Sequence, residues 1–181
     1  GQKLIFWAML KGCPCALIVV LAAACAPPAP GSSAAMSAQM RPADARALAY
    51  GRTVSEMLQN PELRDKIPAL FGADWTPAAQ GQGQIPLGAA AFFEKGGPIR
   101  MVTVEGKDYI AATACVANAC PTRRVLLLIG ERATQLIARL DDGVVPRYYA
   151  YGGEGTAPPA NASTIVDAGL RVLQESGNAY P

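Results

Sequence analysis

Apolar residues in the second half of the chain fall into short runs separated by turn residues. Residues 99–104 and 109–115 are strand-like, and the turn residues 105–108 between them predict a β-hairpin. Three further strand-like runs follow, each after a turn that contains glycine or proline: residues 125–129, 134–140 and 147–151. Five short strands joined by tight turns predict an antiparallel meander. The run 125–129 is expected at its centre, because it is apolar on both faces.

The first half of the chain and its end carry helical periodicity instead. Apolar residues recur at intervals of three and four over residues 43–59, and residues 62–70 have room for a second short helix after Pro61. Near the end of the chain, Ser163 or Thr164 is expected to cap a closing helix. The buried stripe of that helix consists of Ile165, Val166, Leu170, Val172 and Leu173. The pattern predicts an α+β fold, in which helices pack on one face of the antiparallel sheet.

Residues 1–25 have the composition of a bacterial secretory leader. Lys3 and Lys11 give it a positive start, an apolar run follows, and small residues lead to Cys25. The end of the run, Leu-Ala-Ala-Ala-Cys, resembles a lipobox, so we expect cleavage before Cys25 and lipidation of that cysteine. The alternatives are cleavage by ordinary signal peptidase and a retained transmembrane helix. The apolar run is shorter than the ~20 residues that a membrane span needs.

Residues 26–41 are rich in proline, alanine and serine and lack any period, which indicates a flexible tether. The folded domain is then expected over residues 42–181. A domain on a tether behind a lipidated cysteine suits a protein of the periplasm that is anchored to the outer membrane. The lipid is expected to be its one link to a membrane.

The charge balance and the absence of histidine argue against several classes of function. Lys3 and Lys11 lie in the leader, which has no acidic residue, so the rest of the chain holds 14 basic and 14 acidic residues. Without a basic surplus, nucleic acid is not expected as a partner. A chain with no histidine lacks the commonest metal ligand and the Ser-His and Cys-His nucleophile pairs. No nucleotide-binding or hydrolase motif is found either, so the sequence predicts no enzyme and no cofactor.

Two cysteines enclose a short segment between the second and third predicted strands, here called the disulfide loop. Its residues are Cys115, Val116, Ala117, Asn118, Ala119 and Cys120. Outside the cytosol the two cysteines are expected to pair and to fix the shape of the tip. A redox pair is the alternative, but the spacing is not Cys-x-x-Cys, and a metal site there would have two cysteines and no histidine. Asn118 is either a contact residue or an ordinary turn asparagine.

Further candidate residues lie on the strands around the disulfide loop. Tyr109 and Arg124 flank it in sequence, and each is expected to pack or pair on a sheet face rather than to contact a partner. The tyrosine-rich run 147–151 is either an exposed face for a protein or glycan, or a set of cross-strand packing residues. Three turn carboxylates have no identifiable partner and so give no catalytic pair for a glycosidase: Glu131, Asp141 and Asp142.

The stretch around the two cysteines resembles the Ivy family, which inhibits vertebrate (C-type) lysozyme in Gram-negative envelopes. The resemblance rests on the run Val-Thr-Val-Glu-Gly-Lys-Asp-Tyr that ends at Tyr109, on Cys115, on Cys120 and on Arg124. Upstream, residues 66–70 look like the Leu-Pro-x-Trp segment that precedes the sheet in that family. The resemblance covers roughly residues 52–175.

The resemblance implies a disulfide-closed loop that enters the active-site cleft of a C-type lysozyme or related muramidase. In the family the loop usually reads Cys-Lys-Pro-His-Asp-Cys, and its histidine hydrogen-bonds the catalytic carboxylates. Here Val116, Asn118 and Ala119 stand at the positions of the lysine, the histidine and the aspartate. An asparagine side chain can donate a hydrogen bond to a carboxylate, but it carries no charge.

Two expectations about function follow from the resemblance. The first is an inhibitor of C-type lysozyme that inserts its rigid loop, and the family also suggests a homodimer. The alternative is an envelope lipoprotein with an Ivy-like fold that serves as an interaction or assembly module without inhibiting lysozyme. A protruding loop with Asn118 exposed would favour the first, and a loop folded back onto the sheet would favour the second.

Overall fold

A computed structural model of the chain describes residues 35–177 and 179–181. Within these ranges it has seven β-strands: β1 (Ala38–Pro42), β2 (Lys95–Gly96), β3 (Arg100–Val104), β4 (Lys107–Cys115), β5 (Arg123–Gly130), β6 (Gln135–Asp142) and β7 (Pro146–Gly152). The same ranges hold the helices α1 (Ala45–Leu48), α2 (Val54–Gln59), α3 (Lys66–Phe71) and α4 (Ala162–Glu175). The predicted leader 1–25, with Cys25, lies outside the described residues.

The strands β3 to β7 form the predicted meander, because each is hydrogen-bonded to the next and every pair is antiparallel. The α+β class is therefore confirmed. Two strands extend the sheet: β1 pairs with β3 at one edge, and β2 pairs with the end of β4. The turn from β3 to β4 consists of Glu105 and Gly106, whose φ angles are 49° and 77°. Two positive φ angles are typical of the tightest hairpin turns.

Helices cover both faces of the sheet, whereas the sequence pattern predicts helices on one. The helices α1, α2 and α3 share a core with Val125, Leu127 and Ile129, and α4 shares one with Leu126 and Leu128. The reason lies in β5, where all five of these residues are at most 2% exposed. A strand that is apolar on both faces needs an apolar layer on each side, which one layer of helices does not supply.

The first predicted helix, over residues 43–59, is two helices. Gly51, with a φ of 148°, lies between α1 and α2. Thr53 then caps α2, because its side chain accepts a hydrogen bond from the backbone N–H of Glu56. The Glu56 carboxylate accepts one in return from the backbone N–H of Arg52. The apolar spacing in the sequence continues across this point, but the capping of a new helix at Thr53 divides the segment into two helices.

The closing helix is confirmed as α4, and all five residues of its predicted stripe are buried. Its N-cap position is Asn161, so the expected cap at Ser163 or Thr164 is wrong. Both of those residues lie inside the first turn of the helix.

The predicted tether 26–41 is wrong at its C-terminal end, because the edge strand β1 begins at Ala38. Met36, Ala38 and Met40 pack against the core that contains α4. Arg171 on α4 also donates a hydrogen bond from Nη2 to the carbonyl oxygen of Met36, at 2.7 Å. The alternation of these three apolar residues is a strand signal that the surrounding proline, alanine and serine obscure.

Asp108 ties β1 and α1 to the hairpin of β3 and β4. Its carboxylate accepts hydrogen bonds from Arg41 on β1 at 2.9 Å, from Arg46 on α1 at 2.8 Å, and from the Thr103 hydroxyl. The bond from Thr103, followed by those from Arg46 and Arg41, lowers the pKa of Asp108 from 3.8 to about 2. The ionised carboxylate therefore stabilises the fold above about pH 4, and this stabilisation is lost as the pH falls from about 4 to about 2.

The substitution Asp108→Asn is expected to lower the free energy of unfolding by about 1 kcal/mol at neutral pH, after allowance for solvent screening at this partly exposed site. The difference in the free energy of unfolding from the native protein should shrink as the pH falls from about 4 towards about 2, because native Asp108 takes up a proton over this range. Urea unfolding at neutral pH and at about pH 2 measures the loss of stability and its dependence on pH. Asp65→Asn, at an exposed position that makes no capping hydrogen bond, is the matched control. An equal loss of stability at both pH values would rule out the ionic contribution of Asp108.

Candidate functional site

The predicted disulfide joins Cys115 and Cys120, whose Cα atoms lie 4.9 Å apart. Cys115 is fully buried at the end of β4, and Cys120 is half-buried. The strand β4 is nine residues long and continues beyond Ala111, where its pairing with β3 ends. The disulfide loop therefore lies at one end of the sheet, on two of its central strands.

Backbone hydrogen bonds give the disulfide loop a defined shape. Val116 N donates to Arg123 O at 3.0 Å, and Arg123 N donates to Ala119 O at 2.8 Å. Ala117 N donates to Oε2 of Glu94 at 3.1 Å, which fastens the loop to the segment before β2. The Val116 side chain packs against the core under α1, α2 and α3. A loop held in this way has little conformational freedom left to lose on binding.

Asn118 lies at the tip of the disulfide loop, and it is exposed while the other five loop residues are buried or half-buried. Its φ is 64°, in the left-handed region that asparagine adopts more readily than most residues. The interpretation of Asn118 as a turn residue is therefore confirmed for the backbone. Its amide is also the polar side-chain group that the loop presents to solvent, so the contact role stays a prediction.

Arg124 lies at the end of the sheet behind the disulfide loop, where it makes the ion-pair and packing contacts expected of it. It stands opposite Cys115 in β4 and opposite Asp141 in β6. Its Nε lies 3.8 Å from Oδ2 of Asp141, and its guanidinium lies 4.6 Å from the centre of the Tyr180 ring. Burial raises the pKa of Tyr180, and the negative charge of Asp141 raises it further.

Tyr109 packs on a sheet face as expected, but it does not lie next to the disulfide loop. It is six residues before Cys115 on the extended strand β4, or about 20 Å away. The side chain is 2% exposed, and its ring lies against Gly130, where an added Cβ would come within 3.1 Å of it. Burial raises the pKa of Tyr109, with a further contribution from Glu131. The residue lines a cavity of ≈530 Å³ at the far end of the sheet.

Two tyrosines of β7, Tyr149 and Tyr151, pack against the core. The Tyr149 ring lies 4.8 Å from the Phe71 ring, and its hydroxyl donates to Asp74 at 2.8 Å. The Tyr148 hydroxyl donates to Asp167 on α4, also at 2.8 Å. The packing interpretation is therefore confirmed for Tyr149, whose ring and hydroxyl are both engaged. Tyr148 is held through its hydroxyl and stays 37% exposed.

Two of the carboxylates near the disulfide loop, Asp141 and Asp142, are held in salt bridges. Asp141 lies 3.1 Å from Arg139, and Asp142 lies 3.2 Å from Arg147. Glu131 is in the turn before β6, at the opposite end of the sheet. Across residues 35–177 and 179–181, no group of three or more metal-binding side chains comes together. In the same part of the chain, no helix has the length and apolar character needed to cross a bilayer.

The predictions made from the sequence miss three features near the disulfide loop. Glu94 fastens the loop, and Tyr180 stacks on Arg124, but no local pattern marks either residue, because their partners are distant in the chain. The third feature is the turn between β6 and β7, which exposes Val144 and Val145 beside the loop. Two valines in a turn between glycine and proline are a visible signal, because turn positions favour polar residues.

The fold and the site define an α+β domain with a two-sided antiparallel sheet, which presents a disulfide-closed loop at one end. No protein-family model matches the chain, and comparisons with curated proteins and with solved structures give no significant match. The relation to the Ivy family therefore stays a prediction, which rests on the residues around the two cysteines.

Proposed function

We propose that the protein inhibits a C-type lysozyme or a related muramidase by inserting its disulfide loop into the active-site cleft. The observation that carries the proposal is the loop itself, a closed and hydrogen-bonded tip with Asn118 exposed at the end of the sheet. The resemblance of the surrounding residues to the Ivy family supports the choice of target. In this proposal the chain is a binding protein that needs no cofactor.

The proposed mechanism is steric. Glycan hydrolysis by a muramidase uses two carboxylates that flank the scissile bond, and a rigid tip in that space excludes the substrate. The side chains of Val116, Ala117 and Ala119 are small, so the tip is narrow. The Asn118 amide can donate hydrogen bonds to a catalytic carboxylate. Because the disulfide and the backbone hydrogen bonds fix the tip before it binds, insertion costs little conformational entropy.

A compartment outside the cytosol fits this proposal. Structural disulfides persist in the periplasm and are rare in the cytosol. The leader 1–25 predicts export, and Cys25 is its predicted lipidation site. We therefore propose a periplasmic protein anchored to the outer membrane through that cysteine.

An interaction module without lysozyme inhibition is the second candidate, and it is favoured by the burial of the loop, in which five of the six residues are buried or half-buried. Glu94 and Val116 fasten the loop to the body of the domain. Asn118 brings no positive charge to a catalytic carboxylate. A loop of this kind also suits a protein partner that has no acidic cleft.

Inhibition of a C-type lysozyme by the oxidised protein tests the proposal. We expect half-inhibition at or below about 1 µM, measured as the rate of cell-wall lysis. The same protein after reduction and unfolding is the control for non-specific effects. Full lysozyme activity in the presence of about 100 µM protein would leave the interaction module as the better reading.

A further inference from the structure

The most exposed large apolar residues in the described part of the chain lie next to the disulfide loop. Val144 and Val145 are 86% and 57% exposed. The other large apolar residues that are prominent on the surface are exposed less, and they are not adjacent in sequence: Leu48 at 48%, Leu87 at 41% and Tyr148 at 37%. Isolated apolar residues are common on protein surfaces, whereas two adjacent ones at the apex of a turn form a patch that contributes little to the core.

The turn that carries the two valines, here called the valine turn (Gly143, Val144 and Val145), has a defined structure. Val144 N donates to Oδ1 of Asp142 at 3.2 Å, and Arg147 Nε donates to Oδ2 of the same carboxylate at 3.2 Å. Gly143 has a φ of 93°, which favours glycine at the point where the chain reverses. The backbone that carries the two valines is therefore held in a defined conformation.

The valine turn and the disulfide loop form one continuous surface. Arg123 stands opposite Asp142 in the pairing of β5 with β6, so the loop and the turn leave the sheet at the same end. A Cβ added to Gly143 would lie 3.7 Å from the Cβ of Thr122, which follows the loop. Between them is a groove of ≈320 Å³, and its charged lining residues are Arg124, Arg139 and Asp141.

We propose that the valine turn is a second contact element of the inhibitory surface, and that it packs against an apolar wall of the muramidase cleft. This inference rests on the proposed function. The disulfide loop is made of small residues and offers little apolar area of its own. Each exposed valine that becomes buried strengthens binding roughly tenfold. The valine turn thus compensates in affinity for the charged hydrogen bond that Asn118 cannot make.

The double variant Val144→Ser/Val145→Ser tests this inference through the inhibition constant for a C-type lysozyme. Both side chains are exposed, so the variant should fold normally, and circular dichroism checks this. The inhibition constant is expected to rise at least tenfold. Leu48→Ser is the matched control, because Leu48 is also exposed but lies on α1, which contacts the opposite end of β4 through Arg46 and Asp108. Its inhibition constant should change less than twofold.

The outcomes separate this inference from the proposed function. If the native protein inhibits and the double variant inhibits equally well, the valine turn is not a contact, and the loop alone accounts for inhibition. If the native protein does not inhibit, the proposed function fails first and the second contact fails with it. Sedimentation of the native protein and of the double variant tests the alternative that the valine turn binds a second copy of this chain. A native dimer that becomes monomeric in the variant, with an unchanged inhibition constant, would assign the turn to self-association and overturn the inference.

Discussion

Replacing Cys115 and Cys120 with alanine is expected to weaken inhibition of a C-type lysozyme about 100-fold while the sheet stays folded. The disulfide closes a short loop, so its loss should lower the free energy of unfolding by only about 2 kcal/mol in the chain-entropy model. The effect on binding is larger, because each freed loop residue must be ordered again on insertion at a cost of about 1 kcal/mol. The backbone hydrogen bonds between Val116, Ala119 and Arg123 offset part of that cost.

The inhibition constant and the circular dichroism spectrum of the double-alanine variant measure these two effects. Mild reduction of the native protein, followed by reoxidation, is the matched control, since it breaks the same bond without changing a residue. Inhibition should weaken by about the same factor on reduction and recover on reoxidation. A double-alanine variant as potent as the native protein would show that inhibition does not depend on a preformed loop.

Asn118→His is expected to tighten inhibition about tenfold below about pH 6.5, where the imidazole is protonated. Histidine, like asparagine, is enriched in the left-handed region that position 118 occupies, with a φ of 64°. The loop should therefore keep its shape. A charged donor makes a hydrogen bond to a carboxylate roughly twice as strong as a neutral donor does. The native chain has no histidine, so the added pH dependence of binding can be assigned to this one residue.

Two more variants at position 118 separate the backbone from the side chain. Asn118→Gly keeps the left-handed backbone but removes the amide, and it should bind roughly tenfold more weakly. Asn118→Asp also suits the backbone, but it adds a negative charge that repels the catalytic carboxylates, so it should bind more weakly still. If the histidine, glycine and aspartate variants all match the native protein, Asn118 is a turn residue and makes no contact with the carboxylates.

The meander and the closing helix could be predicted because each carries its own local signal. The apolar run of β5, the turn at Glu105 and Gly106 and the stripe of α4 are readable within a few residues. The disulfide could be predicted for a similar reason, since Cys115 and Cys120 stand at the ends of one short loop. These signals fix the order of the strands and the position of the loop at one end of the sheet.

The predictions that were wrong and the features that were missed involve residues whose partners lie far away in the chain. Ala38 belongs to a strand because it pairs opposite Val104, and its own neighbours have the composition of a tether. The second helical layer follows from the two apolar faces of β5, which show that a cover is needed but not which segment supplies it. Glu94 and Tyr180 contact residues of the loop region that are distant in sequence, and no local motif predicts these contacts.

Binding of the oxidised protein to a C-type lysozyme, with and without a chitin oligosaccharide in the enzyme's cleft, tests loop insertion most directly. Calorimetric titration gives the stoichiometry and the dissociation constant in both states. If the disulfide loop occupies the cleft, the proteins bind one to one and the oligosaccharide competes with that binding. Absence of binding to the free enzyme, or binding that the oligosaccharide leaves unchanged, would contradict insertion of the loop.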